Sequence, residues 1–484
     1  MLRVVRRLLL RLGGIVLVLL LVGLGLRVWD LERGPPLGAW HTFVPQELPR
    51  EAIDAADWAG WMAAEDALFA TLRTEVTNRL DPAEQVPTNR YFAGSPMHSA
   101  RFARDWNRSF VLEPEGPPRG AAVFLHGLTD APFSLRHLAQ AYRDHGFVAI
   151  GIRMPGHGTV PAGLTAAAWE DWMAATRLAV REARRRAGPG LPLHILGYSN
   201  GGALALKHAL DAIEDGSLPR ADRLVLLSPM VGVTAFARFA GIAGLPALLP
   251  RFAKSAWLDI QPEFNPFKYN SFPVNAARQT HRLTAALQAQ LDRLAAAGAL
   301  QGLPPVLTFQ SVVDATVSTQ AVLSRLYARL PANGSEIVLF DLNRTMRFGP
   351  LFGATADTAL ERILPAAPRA FGVAVVANAD AATLDAVARR LPAGATTGTE
   401  DALGLAWPRD VFSLSHVALP FPTHDGLYGA TPDPTDDFGV RIGTLAIRGE
   451  NGVLAVALGT FSRVTWNPFF PYLLGRVTEA LPAP

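Results

Sequence analysis

The chain of 484 residues contains no cysteine. That excludes a disulfide framework, a thiolate-bound zinc or iron–sulfur centre and a cysteine nucleophile. It also lacks His-Glu-x-x-His, Walker A and G-x-G-x-x-G patterns, so nothing marks a zinc peptidase, a P-loop NTPase or a dinucleotide-binding enzyme. No sign of charge dominates the body. Residues 1–28 hold Arg3, Arg6, Arg7, Arg11 and Arg27 and no acid; without them 40 basic residues face 42 acidic ones, a net of −2. A near-neutral body carries no footprint for nucleic acid. The composition, 49% hydrophobic and 18% charged, excludes a mainly disordered chain. At roughly 100–200 residues per domain, the length admits one large domain or a few ordinary ones.

What is present begins with the amino terminus. Four arginines precede an uncharged run from Leu12 to Leu26, with Arg27, Trp29 and Asp30 behind it. A basic start before an apolar run reads as an export or anchoring signal, its positive end held in the cytoplasm. The run is short against the roughly 20 residues that span a bilayer, but counting back to Leu8 lengthens it, with Arg11 snorkelling to the interface. The expected outcome is a membrane anchor with the remaining chain outside the cytoplasm, periplasmic if the source is bacterial. Cleavage after export and a buried soluble helix are the alternatives.

Composition divides the rest. Residues 1–30 form the anchor or signal helix, and 31–108 a Pro/Gly-rich linker followed by a helical extension over 51–80. Residues 109–228 alternate strand and helix: strands at Ala121–Leu125, Phe147–Ile152, Leu193–Leu196 and Leu224–Leu227, helices at Pro132–His145, Thr165–Ala187 and Gly201–Ile213. Continuous apolar runs between helices predict an α/β fold, a mostly parallel central sheet covered by helices on both faces. Residues 229–303 break the rhythm with Pro246, Pro250, Pro262, Pro266 and Pro273 and a helix over Asn275–Ala297, and read as an inserted cap. Residues 304–484 resume the core with strands at Val306–Gln310, Glu336–Phe340, Val373–Val376 and Val411–Leu414. Within that stretch lies an insertion at about 342–410, including a strand–helix pair at 373–390. A hairpin is expected from Gly443–Arg448 and Val453–Leu458, and a last helix near 469–480.

The chemistry concentrates at Gly197-Tyr198-Ser199-Asn200-Gly201, a G-x-S-x-G pattern between a strand and a helix. A serine in a sharp strand-to-helix turn needs glycine on both flanks, because side chains there collide with the two elements. A second signal, His126-Gly127-Leu128-Thr129, follows the strand Ala121–Leu125. An oxyanion needs two backbone N–H donors; those of Asn200 and Leu128 are the candidates. His126 itself reads as a structural loop residue.

Ala121–Leu128, Arg153-Met154-Pro155-Gly156-His157-Gly158 and Gly197–Gly202 together resemble the α/β-hydrolase fold, in its monoacylglycerol-lipase and serine-aminopeptidase-like branch, the hydrolase_4 group. The likeness covers roughly 109–340 and resumes near 410. It implies a Ser–His–Asp hydrolase that needs no cofactor and no metal, with His157 structural. It also implies the chain order Ser, acid, His. Asp314, just past the strand Val306–Gln310, matches the acid loop, with Asp341 as the alternative. Only His416 and His424 follow Asp314. The strand Glu336–Phe340 ends without the histidine that the family pattern leads one to expect there, which is the main departure. His416 is taken as the base, with His424 as the alternative. The predicted site is therefore Ser199, Asp314 and His416, with Leu128 and Asn200 as oxyanion donors.

In this group the cap walls an apolar acyl pocket, and Phe236, Phe239, Phe252, Trp257, Phe264, Phe267 and Phe272 cluster in it here. With no evident ammonium or phosphate site, the substrate expected is an uncharged small-molecule or lipid carboxylic ester with an apolar acyl group. A serine peptidase or acyltransferase using the same triad, or a catalytically inactive envelope binding protein, are the other readings.

Overall fold

The computed structural model describes residues 2–232, 245–345, 348–353, 358–445, 459 and 462–483. In chain order the strands are β1 Phe110–Leu112, β2 Gly120–Leu125, β3 Phe147–Ile152, β4 Leu193–Tyr198, β5 Arg223–Leu227, β6 Trp257–Asp259, β7 Phe272–Pro273, β8 Val306–Ser311, β9 Glu336–Phe340, β10 Gly372–Asn378, β11 Asp385–Leu391 and β12 Thr399–Ala406. Ten form one sheet in the order β1-β3-β2-β4-β5-β8-β9-β10-β11-β12, and β6 pairs with β7 apart from it. From β3 across to β10 every pairing is parallel; β1, β11 and β12 join antiparallel at the two edges.

The apolar runs explain this order. Every residue of β2, β3, β4 and β8 is buried, as a sheet covered on both faces requires. Successive side chains point to opposite faces, so Val123, Ile195 and Leu226 enter one core with the helices Trp169–Ala187 and Asn200–Glu214. Their neighbours Phe124, Leu196 and Val225 enter the other, with Phe470 and Leu473 from the last helix, Phe470–Thr478. All parallel strands end at the same edge, and the loops after β2, β4, β5 and β8 therefore meet there.

The amino-terminal helix runs over Leu2–Arg33, and its Val5–Arg33 part is long and apolar enough to cross a membrane, with an 18-residue stretch of mean hydropathy 2.5 in which no residue is buried. Its last turns lie against the rest of the protein, where Arg27 donates to the Trp257 carbonyl at 2.5 Å and Lys254 to that of Gly34 at 3.0 Å. Residues 31–50 are held down by aromatic burial. Trp40 and His41 are buried, Trp40 stacks on Tyr91, and His41 Nε2 lies 2.9 Å from Ser271 Oγ.

Two local expectations are corrected, and a third lies largely outside the described residues. The helix expected within 373–390 is strand β11, because its alanine-rich sequence is captured between two partners, β10 and β12, and sheet pairing overrides helix propensity. Val411–Leu414 is not a strand. Its apolar residues Val411 and Leu414 are buried from a loop whose carbonyls are served by Asn343, the side-chain amide donating to Val411 O at 2.8 Å and the main-chain N–H to Phe412 O at 2.8 Å. The hairpin expected at 443–458 lies largely outside the described residues; its described start is a single 3-10 turn, Ile442–Thr444.

Candidate active site

Ser199 sits between β4 and the helix Asn200–Glu214 with φ 55° and ψ −115°. A positive φ is strained for any residue with a Cβ and persists only where the surroundings enforce it. The enforcement is visible. The Ser199 N–H donates to Leu227 O at 2.9 Å, and its carbonyl accepts from Gly202 at 3.0 Å and Met230 at 2.9 Å. A Cβ on Gly201 would strike the Leu125 carbonyl, and one on Gly202 would lie 2.7 Å from Pro229 Cβ. Among the described residues, the only other non-glycine positions with positive φ are Thr129 and Ser228, at the ends of the loop after β2 and of β5. All three strained residues thus cluster at the strand ends around this serine.

Asp314 follows β8, and its carboxylate side chain is wholly buried. Its Oδ2 is 2.9 Å from His416 Nδ1, across 102 positions of sequence. Oδ1 accepts the N–H groups of Thr316 at 2.7 Å and Val317 at 2.9 Å. Gln310, fully buried on β8, donates its side-chain amide to Oδ2 at 3.1 Å. Burial would raise the Asp314 pKa, but the bond and charge of His416, with the two amides, hold it below the ordinary aspartate value. The His416 ring lies 5.3 Å from that of Tyr198, the residue before Ser199, and the Tyr198 hydroxyl donates to the His416 carbonyl at 3.4 Å. With Nδ1 on Asp314, Nε2 is the ring nitrogen left for a proton. No hydrogen bond joins Ser199 Oγ to His416 among the described residues; such bonds often tighten only when substrate arrives.

The alternatives are engaged elsewhere. Asp341 is paired with Arg344, Oδ2 to Nε at 2.8 Å. His424 is exposed, its ring 5.7 Å from that of His137. His126 accepts the Met154 N–H on Nε2 at 3.0 Å and therefore donates from Nδ1 to Gly127 O at 2.9 Å, which fixes its tautomer. Burial pulls its pKa down to about 4. His157 is buried between His126 and Trp172, and burial takes its pKa far down as well.

The loop carrying Leu128 presses on the serine: a Cβ on Gly127 would lie 3.3 Å from Ser199 Cβ. Asn200 opens its helix, where N–H groups have no intrahelical acceptor. Its side-chain Oδ1 and Nδ2 are buried, without hydrogen-bond partners among the described residues. Beside this centre lies a cavity of about 260 Å³ bordered by Tyr198 and Val417, with Phe264, Phe421 and Tyr428 among its walls. A larger one, about 670 Å³, borders Asp314, His416 and Leu414. The aromatic cluster of 229–303 divides: Trp257 and Phe267 are buried in the core, Phe264 faces the smaller cavity, and Phe236 and Phe239 lie outside the described residues.

Residues 116–342 match the model of the family described as Hydrolase_4, serine aminopeptidase S33. A thermostable monoacylglycerol lipase of Bacillus sp. (strain H-257) is 30% identical over 181 residues, which are 37% of this chain and 67% of that protein. The chain belongs to the Hydrolase_4 family of α/β-hydrolases. Among solved structures, that reported for the metagenome-derived lipolytic enzymes LipS and LipT is 22% identical with a TM-score of 0.38, covering 48% of this chain and 86% of the other. A soluble variant of monoglyceride lipase from Saccharomyces cerevisiae is 14% identical with a TM-score of 0.38, covering 48% and 81%.

The Hydrolase_4 match contains Ser199 and Asp314 but ends before His416. Between its end and that histidine, this member adds β10, β11 and β12 to the sheet. The sequence reading passed over Gln310, whose only signal was a polar residue in an otherwise apolar strand. Lys268 and Arg463, both at the smaller cavity, carried no such signal in the sequence.

Proposed function

We propose that the protein is a serine hydrolase of carboxylic esters with apolar acyl groups, acting through Ser199, His416 and Asp314 and held at a membrane by its amino-terminal helix. The observation that carries this reading is the 2.9 Å contact of His416 Nδ1 with the buried Asp314 carboxylate, beside the strained turn of Ser199.

In this mechanism Ser199 Oγ attacks the ester carbonyl and His416 Nε2 takes its proton. Asp314 holds Nδ1–H and stabilises the imidazolium without accepting the proton. The N–H groups of Leu128 and Asn200 receive the oxyanion. His416 then protonates the departing alcohol, and water, activated by the same imidazole, cleaves the acyl-enzyme to release the acid and restore Ser199. The residues around 229–303 act as a cap whose aromatic side chains, Phe264 among them, favour an apolar acyl chain. The lipase activity of the Bacillus relative supports the ester class.

Labelling by a fluorophosphonate probe, with hydrolysis of 4-nitrophenyl butanoate, tests the reading in the full chain held in detergent. Labelling and turnover are expected in the wild type and absent in Ser199→Ala. A folded wild type that is neither labelled nor active would instead mark an inactive binding protein.

A further inference from the structure

The cavity beside the candidate centre is not uniformly apolar. It borders Tyr198 and Val417, the chain neighbours of Ser199 and His416. Opposite its aromatic walls stand Asp130, Lys268 and Arg463.

Lys268 is the unusual one. It is half-buried, and among the described residues no hydrogen bond or ion pair engages its ammonium group. An ammonium has three donors and no acceptor capacity, and withdrawing it from water without partners is costly. Burial accordingly draws its pKa down, and Asp130 counters only in part. Asp130 is committed on its own side: it is buried, its Oδ1 accepts the Ala131 N–H at 2.9 Å, and burial raises its pKa to about 6. Arg463 is exposed and spends Nη2 on Thr316 Oγ1 at 3.1 Å, which leaves further N–H donors on a rigid, always-charged fork. Two cations and one carboxylate therefore line a chamber whose other walls are aromatic rings, aliphatic side chains, amides and one threonine.

We infer that this cavity receives an anionic group of the substrate, a carboxylate or a phosphate a few bonds from the ester, with Lys268 as its first partner and Arg463 as its second. This rests on the hydrolase reading above and sharpens it. The apolar acyl chain remains, but the uncharged ester expected from the sequence gives way to an amphiphilic one. Lys268 lies in the 229–303 segment and Arg463 beyond His416, so the two halves of the site come from stretches that no local motif links.

Matched esters test it, with the full chain in detergent. The neutral 4-(butanoyloxy)benzamide is set against 4-(butanoyloxy)benzoate and 4-(butanoyloxy)phenyl phosphate, with the charge on the alcohol side. Neutral 4-nitrophenyl butanoate is set against the 4-nitrophenyl hemiester of glutaric acid, with the charge on the acyl side. The readout is the ratio of kcat/KM for the anionic ester over its neutral partner, which cancels any general loss of folded enzyme. At least one ratio is expected near tenfold in the wild type, as for hydrogen bonds to charged groups, and to fall with salt. It should approach one in Lys268→Met and be kept in Lys268→Arg. The benzoate and phosphate arms tell which anion is preferred. Ratios at or below one throughout the wild type, or a ratio unmoved by Lys268→Met, would overturn the inference while leaving ester hydrolysis intact. A wild type that cleaves no ester at all would remove the hydrolase reading first, and this inference with it.

Discussion

Asp314 Oδ2 meets His416 Nδ1 at 2.9 Å, and Asp425 Oδ2 meets His137 Nε2 at 2.9 Å. Both aspartate side chains are fully buried. The distances are equal, but the charge around them is not. Asp425 also takes Arg136 Nη1 at 2.7 Å, and Arg136 reaches on to Asp436 at 2.6 Å. Burial alone would raise the Asp425 pKa, yet Arg136 and then His137 reverse that and hold it well below the aspartate range. Burial first, and Arg136 next, pull His137 down to about 4. That imidazole stays neutral at ordinary pH, because it is buried and the Arg136 charge already meets the carboxylate. Asp314 has no such cation: among the described residues its one ionic partner is His416, and its other bonds are the uncharged donors Gln310, Thr316 and Val317. A carboxylate without a resident cation is free to stabilise an imidazolium formed during reaction. The difference teaches that an aspartate–histidine contact is read by what else touches the carboxylate, not by its length.

Removing one member of each pair should break the comparison most sharply. His416→Ala is expected to lower ester turnover by roughly 10⁴–10⁶-fold, as loss of the general base does in such triads, with little change in stability. Asp425→Asn leaves Arg136 buried beside a neutral amide and should cost about 3–5 kcal/mol of folding stability. Denaturant unfolding followed by fluorescence reads the second effect, and turnover per mole of folded protein reads the first. A large activity loss per mole of folded protein in Asp425→Asn, without destabilisation, would erase the distinction.

Acid sharpens it further. His137 has a folded pKa near 4 against an ordinary value of 6.5. Between those limits the unfolded chain binds a proton that the folded one refuses, so stability is full above about 6.5 and declines as pH falls toward 4. Asp314 and Asp425 are both depressed below 3.8. Their contributions are present above that value and disappear only as pH drops through their folded pKa values. Unfolding measured across pH should therefore show a first decline from about 6.5 to 4 and a second below about 3.8. His137→Asn should shrink the first decline. An unchanged curve in that variant would shift the cause to the other buried histidines, among which His41, His126 and His194 are also drawn to about 4.

Much of this was legible in the chain, and the reasons are local. Gly197, Gly201 and Gly202 are forced by collisions within a few residues, and the apolar runs of β2, β3 and β4 by burial on both faces. Asp314 lies a few positions past its strand. The contact with His416 was harder, since 102 positions separate the partners, but chain order and the scarcity of histidine narrowed it to two. What the sequence concealed was set by distant partners. Asp385–Leu391 reads as helical until β10 and β12 pair with it. Val411–Leu414 reads as a strand until Asn343 takes its carbonyls. Asp425, beside the rejected His424, carries no hint in sequence of Arg136, 289 positions away.

The smallest effect concerns Gln310. It is fully buried on β8, and its side-chain amide divides among Asp314 Oδ2 at 3.1 Å, Thr319 Oγ1 at 3.3 Å and Val317 O at 3.4 Å. The same Oδ2 holds His416, so Gln310 fixes where the imidazole stands without touching substrate. Gln310→Leu keeps the bulk and removes the donor. A hydrogen bond to a charged group is worth roughly 1.5–3 kcal/mol, and sharing it three ways places the effect near the lower end, about a tenfold fall in kcat. KM should hold, because no substrate contact is lost. A residue that merely filled space would lower stability and leave kcat per mole of folded enzyme unchanged, and that outcome would assign Gln310 to packing alone.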